Sequence, residues 1–390
     1  LEPVVSRSGL PFGNPRVITP ASNGRRISRG TVAVGALIAV LLAAAGVGGY
    51  LALAARKPAP SSDSTPQSGI LGSDIKVPPA ARLRDCVTNA PSALSWSRVS
   101  PAASPPGLTD SFMVYDSDRG RTVLFGGAAA GGPVAQTWEW DGATWTRAAP
   151  AHSPTPRGAR QLAYDASRKK TVLFGGGVPG LVLADTWLWD GSDWTQAKPA
   201  TSPPARHDGA MVFDVAIDKV LLFGGYDSKQ KPLGDTWTWD GSAWAQAVAI
   251  LSPPARSGPQ MTYDAGRSRV VLFGGRTATN SPLSDTWEFE GTSWRAVGPA
   301  LSPPGSYDGT MAYDARSKQT LLFDGNGGGS AVDQWAWGGI AWIHLGTTTV
   351  PTSRVQPAVA YDTKRGRLVI FGGSAGGPLA DTWEADACGG

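Results

Sequence analysis

Hydrophobic and polar positions follow one another along most of this chain in short bursts that recur. Apolar runs of four residues, such as Val270-Val271-Leu272-Phe273, stop at a glycine pair. Leu-Phe-Gly-Gly stands at Leu124 to Gly127, Leu173 to Gly176, Leu222 to Gly225 and Leu272 to Gly275. Leu322-Phe323-Asp324-Gly325 is a degenerate copy and Ile370-Phe371-Gly372-Gly373 a sixth. Phe125, Phe174, Phe223, Phe273, Phe323 and Phe371 are 49, 49, 50, 50 and 48 residues apart, which marks an internal repeat. Each unit predicts four antiparallel strands. The first ends in an aromatic-Asp pair (Met261-Thr262-Tyr263-Asp264) before a polar turn (Ala265-Gly266-Arg267-Ser268), and the apolar run is the second. Asp235-Thr236-Trp237-Thr238-Trp239 alternates like a third strand, and the turn Asp240-Gly241 leads to a fourth containing Trp244.

One segment breaks this pattern. Residues 31–55 are 25 residues without a charge, enough as a helix at about 1.5 Å per residue to cross a hydrocarbon core of about 30 Å. A cleaved signal peptide is the poorer reading, because 30 residues precede the run. Arg16, Arg25, Arg26 and Arg29 on the N-terminal side outweigh Arg56, Lys57 and the distant Lys76, which predicts a cytoplasmic basic tail (1–30) and a single-pass cell-membrane protein. The bilayer is thus an expected partner through residues 31–55. Residues 56–85 are rich in Pro and Ser and read as a stalk, placing residues 86–390 on the extracytoplasmic side. The chain begins at Leu1, so further cytoplasmic sequence upstream is left open.

Composition agrees with many short strands: 50 Gly, 32 Pro and 16 Trp among 390 residues. Charge changes the picture more. The formal +4 arises in residues 1–57, where seven Arg and Lys face Glu2 alone; the remainder carries 28 basic against 30 acidic residues. The large domain has no basic excess with which to neutralise phosphates, which argues against nucleic acid as a partner.

The glycine pair after an apolar strand and the tryptophans that follow it resemble kelch repeats, most closely the bacterial kind with Phe-Gly-Gly, Asp-Thr-Trp and Pro-Pro-Ala-Arg. The resemblance covers about residues 94–388. It implies an all-β fold, a six-bladed kelch-type β-propeller preceded by the single transmembrane helix. Asp324 and Gln334-Trp335 depart from the pattern in the fifth unit. The sixth unit has Asp381-Thr382-Trp383 but no fourth-strand tryptophan after it. Leu94-Ser95-Trp96-Ser97-Arg98, followed by Ser104-Pro105-Pro106, repeats Ala143-Thr144-Trp145-Thr146-Arg147, so residues 94–99 are expected to supply the outer strand of the last blade. Cys86 and Cys388 flank that seam and are expected to pair, consistent with an oxidising compartment.

The tryptophans fall at repeat positions and read as packing, and the aromatic-Asp pairs read as turn initiation. Positions that the repeat leaves free carry more information. Eight residues before the turn aspartate stand Arg157, Arg206, Arg256 and Arg354, against Leu108 and Ser306 in the other units; six before it stand Asp110, Asp208 and Asp308. These sites and His207 lie where the chain enters the innermost strand, on the face carrying the variable loops Tyr226 to Gly234 and Arg276 to Ser284. They are either ligand-binding groups or caps and bridges between blades. Galactose-oxidase-like copper enzymes share the kelch fold, but their chemistry would require clustered His and Tyr ligands with a Tyr-linked Cys. His152, His207 and His344 fall in separate units and both cysteines lie at the seam, so neither a metal nor a cofactor is expected. His207 and Asp208, as neighbours on a strand, would point to opposite faces. The expected function is a non-catalytic module presenting loops to a glycan, cell-wall fragment or protein partner. The alternatives are a carbohydrate hydrolase or lyase using Asp110, Asp208 and Asp308, and a sensor with its output upstream of Leu1.

Overall fold

The computed structural model describes residues 93–386 apart from 159, 325–332 and 350. The basic tail, the apolar segment 31–55, the stalk, Cys86 and Cys388 lie outside the described residues. Within them every regular element is a strand, and no helix is long and apolar enough to cross a membrane.

Six four-stranded antiparallel units surround an axis. Blade 3 is representative: Ala210–Asp214, Lys219–Phe223, Thr236–Trp239 and Trp244–Ala247 pair in order, with Phe223 opposite Thr236 and Thr236 opposite Ala247. The innermost strands are Phe112–Asp116, Leu162–Asp165, Ala210–Asp214, Gln260–Asp264, Thr310–Asp314 and Ala358–Asp362. Each packs on the next, and the last packs on the first, so the molecule is a closed six-bladed β-propeller. Every second strand lies in mid-sheet with a neighbouring blade on each face. This double burial explains unbroken apolar runs such as Val220 to Phe223, all wholly buried, where a one-sided sheet would alternate.

The core is accordingly six layers between blades. Val123, Phe125, Leu162, Leu173, Trp189 and Trp194 form the layer between blades 1 and 2, and equivalent sets fill the other five. Aspartate at the end of each innermost strand makes the turn: Asp116 Oδ1 accepts from the backbone N–H of Asp118 and Arg119, and Asp362 Oδ1 from Lys364 and Arg365.

The repeat motifs are stitches between blades. The second glycine of each pair donates its N–H to the lead-in segment of the next blade: Gly127 to Arg157 O, Gly176 to Arg206 O, Gly225 to Arg256 O, Gly275 to Ser306 O and Gly373 to Leu108 O. A Cβ at Gly176 (φ +90°) would stand 2.4 Å from Gly158 O, so only glycine lets these backbones approach. The threonine that opens the third strand accepts from the outer-strand indole of the following blade: Trp194 to Thr137, Trp244 to Thr186, Trp294 to Thr236, Trp342 to Thr286 and Trp145 to Thr382. The sixth link is Trp96 Nε1 to Gln334 Oε1, 3.1 Å. Gln334, which reads in sequence as a departure, performs the same task with a longer side chain.

The ring closes through Ala93–Val99, antiparallel to Thr382–Asp386 and outermost of the four regular strands of blade 6. Gly346–Thr349 adds a fifth strand, paired in parallel with Ala93–Val99 through a register shift between Leu94 and Ser95. The sequence reading did not anticipate it; three consecutive threonines, β-branched and strand-favouring, are the signal.

A second indole contact varies from blade to blade. Trp140, Trp189 and Trp337 donate to Glu384, Glu139 and Glu288 of the preceding blade. Blade 3 has Trp239 where the preceding blade offers Leu188, and its Nε1 has no acceptor. Phe289 and Ala385 occupy the position elsewhere and need none. Trp189→Phe should therefore cost about 1–2 kcal/mol more in urea unfolding than Trp239→Phe, because a satisfied buried donor is lost only in the first. Equal losses would show that these indole hydrogen bonds contribute nothing.

Candidate functional site

The lead-in segments and the loops between second and third strands meet on one face of the ring. Arg157, Arg206, Arg256 and Arg354 are there but fully buried. Each guanidinium donates a fork of two bonds to the aspartate before Thr-Trp of its own blade. For Arg206 these are 2.7 and 2.8 Å to Asp235, with a third to Gly224 O and Nε on Pro204 O. Asp185, Asp285 and Asp381 serve the other three arginines. These four arginines tie each lead-in segment to its own blade and present no open fork to a ligand. Burial works against ionisation of Asp185, Asp235, Asp285 and Asp381, yet the arginine beside each holds the carboxyl below its usual range. Two of the histidines lie apart, His152 on Asp193 at 2.7 Å and His344 on Asp333 at 2.6 Å.

Asp110, Asp208 and Asp308, from alternate blades 1, 3 and 5, instead face the axis at the channel mouth. Their backbones are left-handed (φ 54°, 53° and 61°), a conformation that aspartate tolerates, and Gln356 in blade 6 shares it at φ 55°. That geometry links blades: Gly258 N donates to Asp208 O, Asp308 N to Gly258 O and Gln356 N to Asp308 O. It also corrects one expectation. His207 and Asp208 do not diverge, because the left-handed residue breaks the strand alternation, and His207 Nδ1 lies 3.2 Å from Asp208 Oδ2.

The sequence reading missed Arg160. It leaves blade 2, crosses the axis and reaches the opposite blade, donating through Nη2 to Gly309 O (3.1 Å) with Nη1 3.2 Å from Asp308 Oδ1. It can cross because the other blades place Ser111, Gly209, Pro259, Gly309 and Pro357 at the equivalent position. One long cation in a column of small residues was the available signal. Below it the channel is apolar, with a cavity of about 310 Å³ whose lining includes Met113, Met211, Met261 and Met311, all four methionines of the chain. Above it is a pocket of about 620 Å³ bounded by Asp110, Arg160, His207, Asp208 and Gln230 and walled by the hairpin of Gly177–Val178 and Leu181–Val182. Arg160, reaching across the axis, bounds that pocket. At its rim the Arg276 guanidinium lies between the rings of Tyr226 (5.3 Å) and Tyr307 (4.8 Å) and 3.5 Å from Asp208.

The surroundings shift the three carboxylates differently. Burial pushes Asp110 up to about 6 against the pull of Arg160, with Asp208 and Asp308 adding to the rise. Burial also raises Asp308. Asp208 feels the same burial, but His207, Arg160 and Arg276 together hold it below the ordinary carboxylate range. In return, the hydrogen bond to Asp208 raises His207. Among the described residues no three His, Cys, Asp or Glu side chains gather into a metal-binding cluster. The mouth can therefore ion-pair and hydrogen-bond with a ligand, and it holds one protonatable carboxyl beside one held ionised.

No protein-family model matches the chain, and no curated protein matches it in sequence.

Proposed function

We propose that this chain is a single-pass, membrane-anchored kelch-type propeller that binds a glycan, cell-wall or protein ligand in the extracytoplasmic space without turning it over. The Phe-Gly-Gly and Asp-Thr-Trp repeat supports the kelch reading and the uncharged residues 31–55 support the anchor. One observation carries the binding role: Asp110 and Asp208, from alternate blades, converge with Arg160 and His207 on a pocket of about 620 Å³, within the range of about 300–1,000 Å³ usual for small-molecule sites. Fold alone would not carry it, since propellers host unrelated activities.

Thermal unfolding of the full chain against a panel of glycans, cell-wall fragments and peptides tests the reading. A ligand at a hundred times its dissociation constant stabilises the folded form by about 2.7 kcal/mol, so its midpoint should rise by several degrees. The rise should vanish in Asp208→Asn and persist in Asp193→Asn, whose carboxylate binds His152 elsewhere. A rise indifferent to Asp208 would move the binding site away from the mouth.

The split between Asp110, protonatable near pH 6, and Asp208, held ionised, favours a second reading as a hydrolase or lyase with Asp110 as acid. Release of reducing ends from a glycan, lost in Asp110→Asn, would establish it.

A further inference from the structure

The channel changes character along its length. At the mouth it carries carboxylates, Arg160 and His207, whereas no Asp, Glu, Lys, Arg or His lines the chamber of about 310 Å³ below. One position per blade supplies Val114, Ala163, Val212, Thr262, Ala312 and Ala360 to its wall, of which Thr262 alone is polar. The next position toward the turns supplies Tyr115, Tyr164, Phe213, Tyr263, Tyr313 and Tyr361. Burial pushes Tyr115 up to about 12 and raises the other four phenols, so all five stay neutral. Ser117, Ala265 and Thr363, in the turns after the innermost strands, also line the chamber, which therefore opens on the face opposite the mouth. Toward the mouth it ends in a space of about 10 Å³, bordered by Arg160 and by Met211, Met261 and Met311, with room for at most one water.

An occupant of this chamber meets no charge and gains mainly by taking apolar surface out of water. The lining runs from Phe112 to Ser117, a depth of about 15 Å at about 3.3 Å per residue. Its volume is that of about ten waters at about 30 Å³ each, which is room for one short chain. Met113, Met211, Met261 and Met311, flexible and polarisable, adapt to such a chain better than branched side chains do. We propose that this chamber is a second binding site, separate from the mouth, which takes the alkyl chain of an uncharged amphiphile entering from the turn face. The chain lies along the axis among the methionines, and its head stays at the entrance beside Ser117 and Thr363.

The protein has four methionines and all four line the chamber, so methyl-labelled methionine gives four NMR signals that report on it directly. Titrating the full chain with 1-butanol, 1-hexanol and 1-octanol should shift these signals, with affinity rising about fourfold per added methylene. Thr262→Phe or Val114→Phe, on the opposite blades 4 and 1, should fill the chamber and lower the affinity for 1-octanol about tenfold or more. A melting midpoint near that of the parent shows which of the two variants is folded. Flat affinity along the series would mean that water on the free edges of the innermost strands holds the chamber, and would overturn the proposal. So would an affinity for 1-octanol unchanged in a folded variant. Octanoate binding more tightly than 1-octanol would overturn the uncharged head. None of these results bears on the mouth, where Asp208→Asn gives the separate test.

Discussion

Replacing Arg206 by leucine should lower the unfolding free energy by about 3–5 kcal/mol, because it leaves the Asp235 carboxylate in the fold without its partner. The loss should be read by chemical denaturation with the slope unchanged. Most of it should return in the double variant Arg206→Leu/Asp235→Gln, to within about 1 kcal/mol of the parent, since removing both members of a buried ion pair is far less costly than removing one. Blade 1 already contains this exchange. Leu108 and Gln136 stand where blades 2, 3, 4 and 6 have arginine and aspartate, Leu108 is fully buried, and Gln136 still accepts the Trp138 indole N–H at 2.9 Å as Asp235 accepts that of Trp237. A double variant no more stable than Arg206→Leu would mean that the clamp acts through the arginine's bonds to Gly224 O and Pro204 O rather than through the ion pair.

At the mouth the sign reverses, and Asp110→Asn should stabilise the protein. A carboxyl whose pKa is raised on folding, here from 3.8 to about 6, takes up a proton as the chain folds. Its cost is therefore absent below about pH 4, grows from there to pH 6, and is complete above that range. Asparagine keeps the left-handed backbone without the charge, so at pH 7 the gain should approach about 2–3 kcal/mol and at pH 4 it should disappear. Urea titrations at the two pH values measure it. A loss of stability at neutral pH would show that Asp110 is well solvated or paired.

The two substitutions separate what the sequence discloses from what it conceals. The propeller is legible because every blade buries the same second strand on both faces, which writes an apolar run and a glycine pair at a regular interval. Closure by residues 93–99 is legible for a similar reason, since Trp96 occupies a repeat position. The four arginines are also periodic, but periodicity cannot say whether a side chain turns inward to Asp235 or outward to a ligand. Gln334 looks like decay of the motif until Trp96 is seen donating to it. Arg160 is hidden because its meaning comes from other blades: only beside Gly209 and Gly309 does an arginine reach across the axis. The His207–Asp208 contact depends on a positive φ that the sequence does not announce.

The strand Ala93–Val99 also bears on how the molecule is made. It precedes every complete blade in the chain yet pairs with Thr382–Asp386, so that Ser97 reaches Glu384 across 287 residues. A ribosome delivers this strand first and its partner last. Throughout synthesis Trp96 and Leu94, both buried in the finished ring, have no final berth, and blades 1 to 5 can condense as local hairpins without them. Closing so long a loop comes late and slowly compared with those hairpins. A nascent chain halted before residue 382 is then an open arc with a bare flank at each end, the form most exposed to pairing with a second arc.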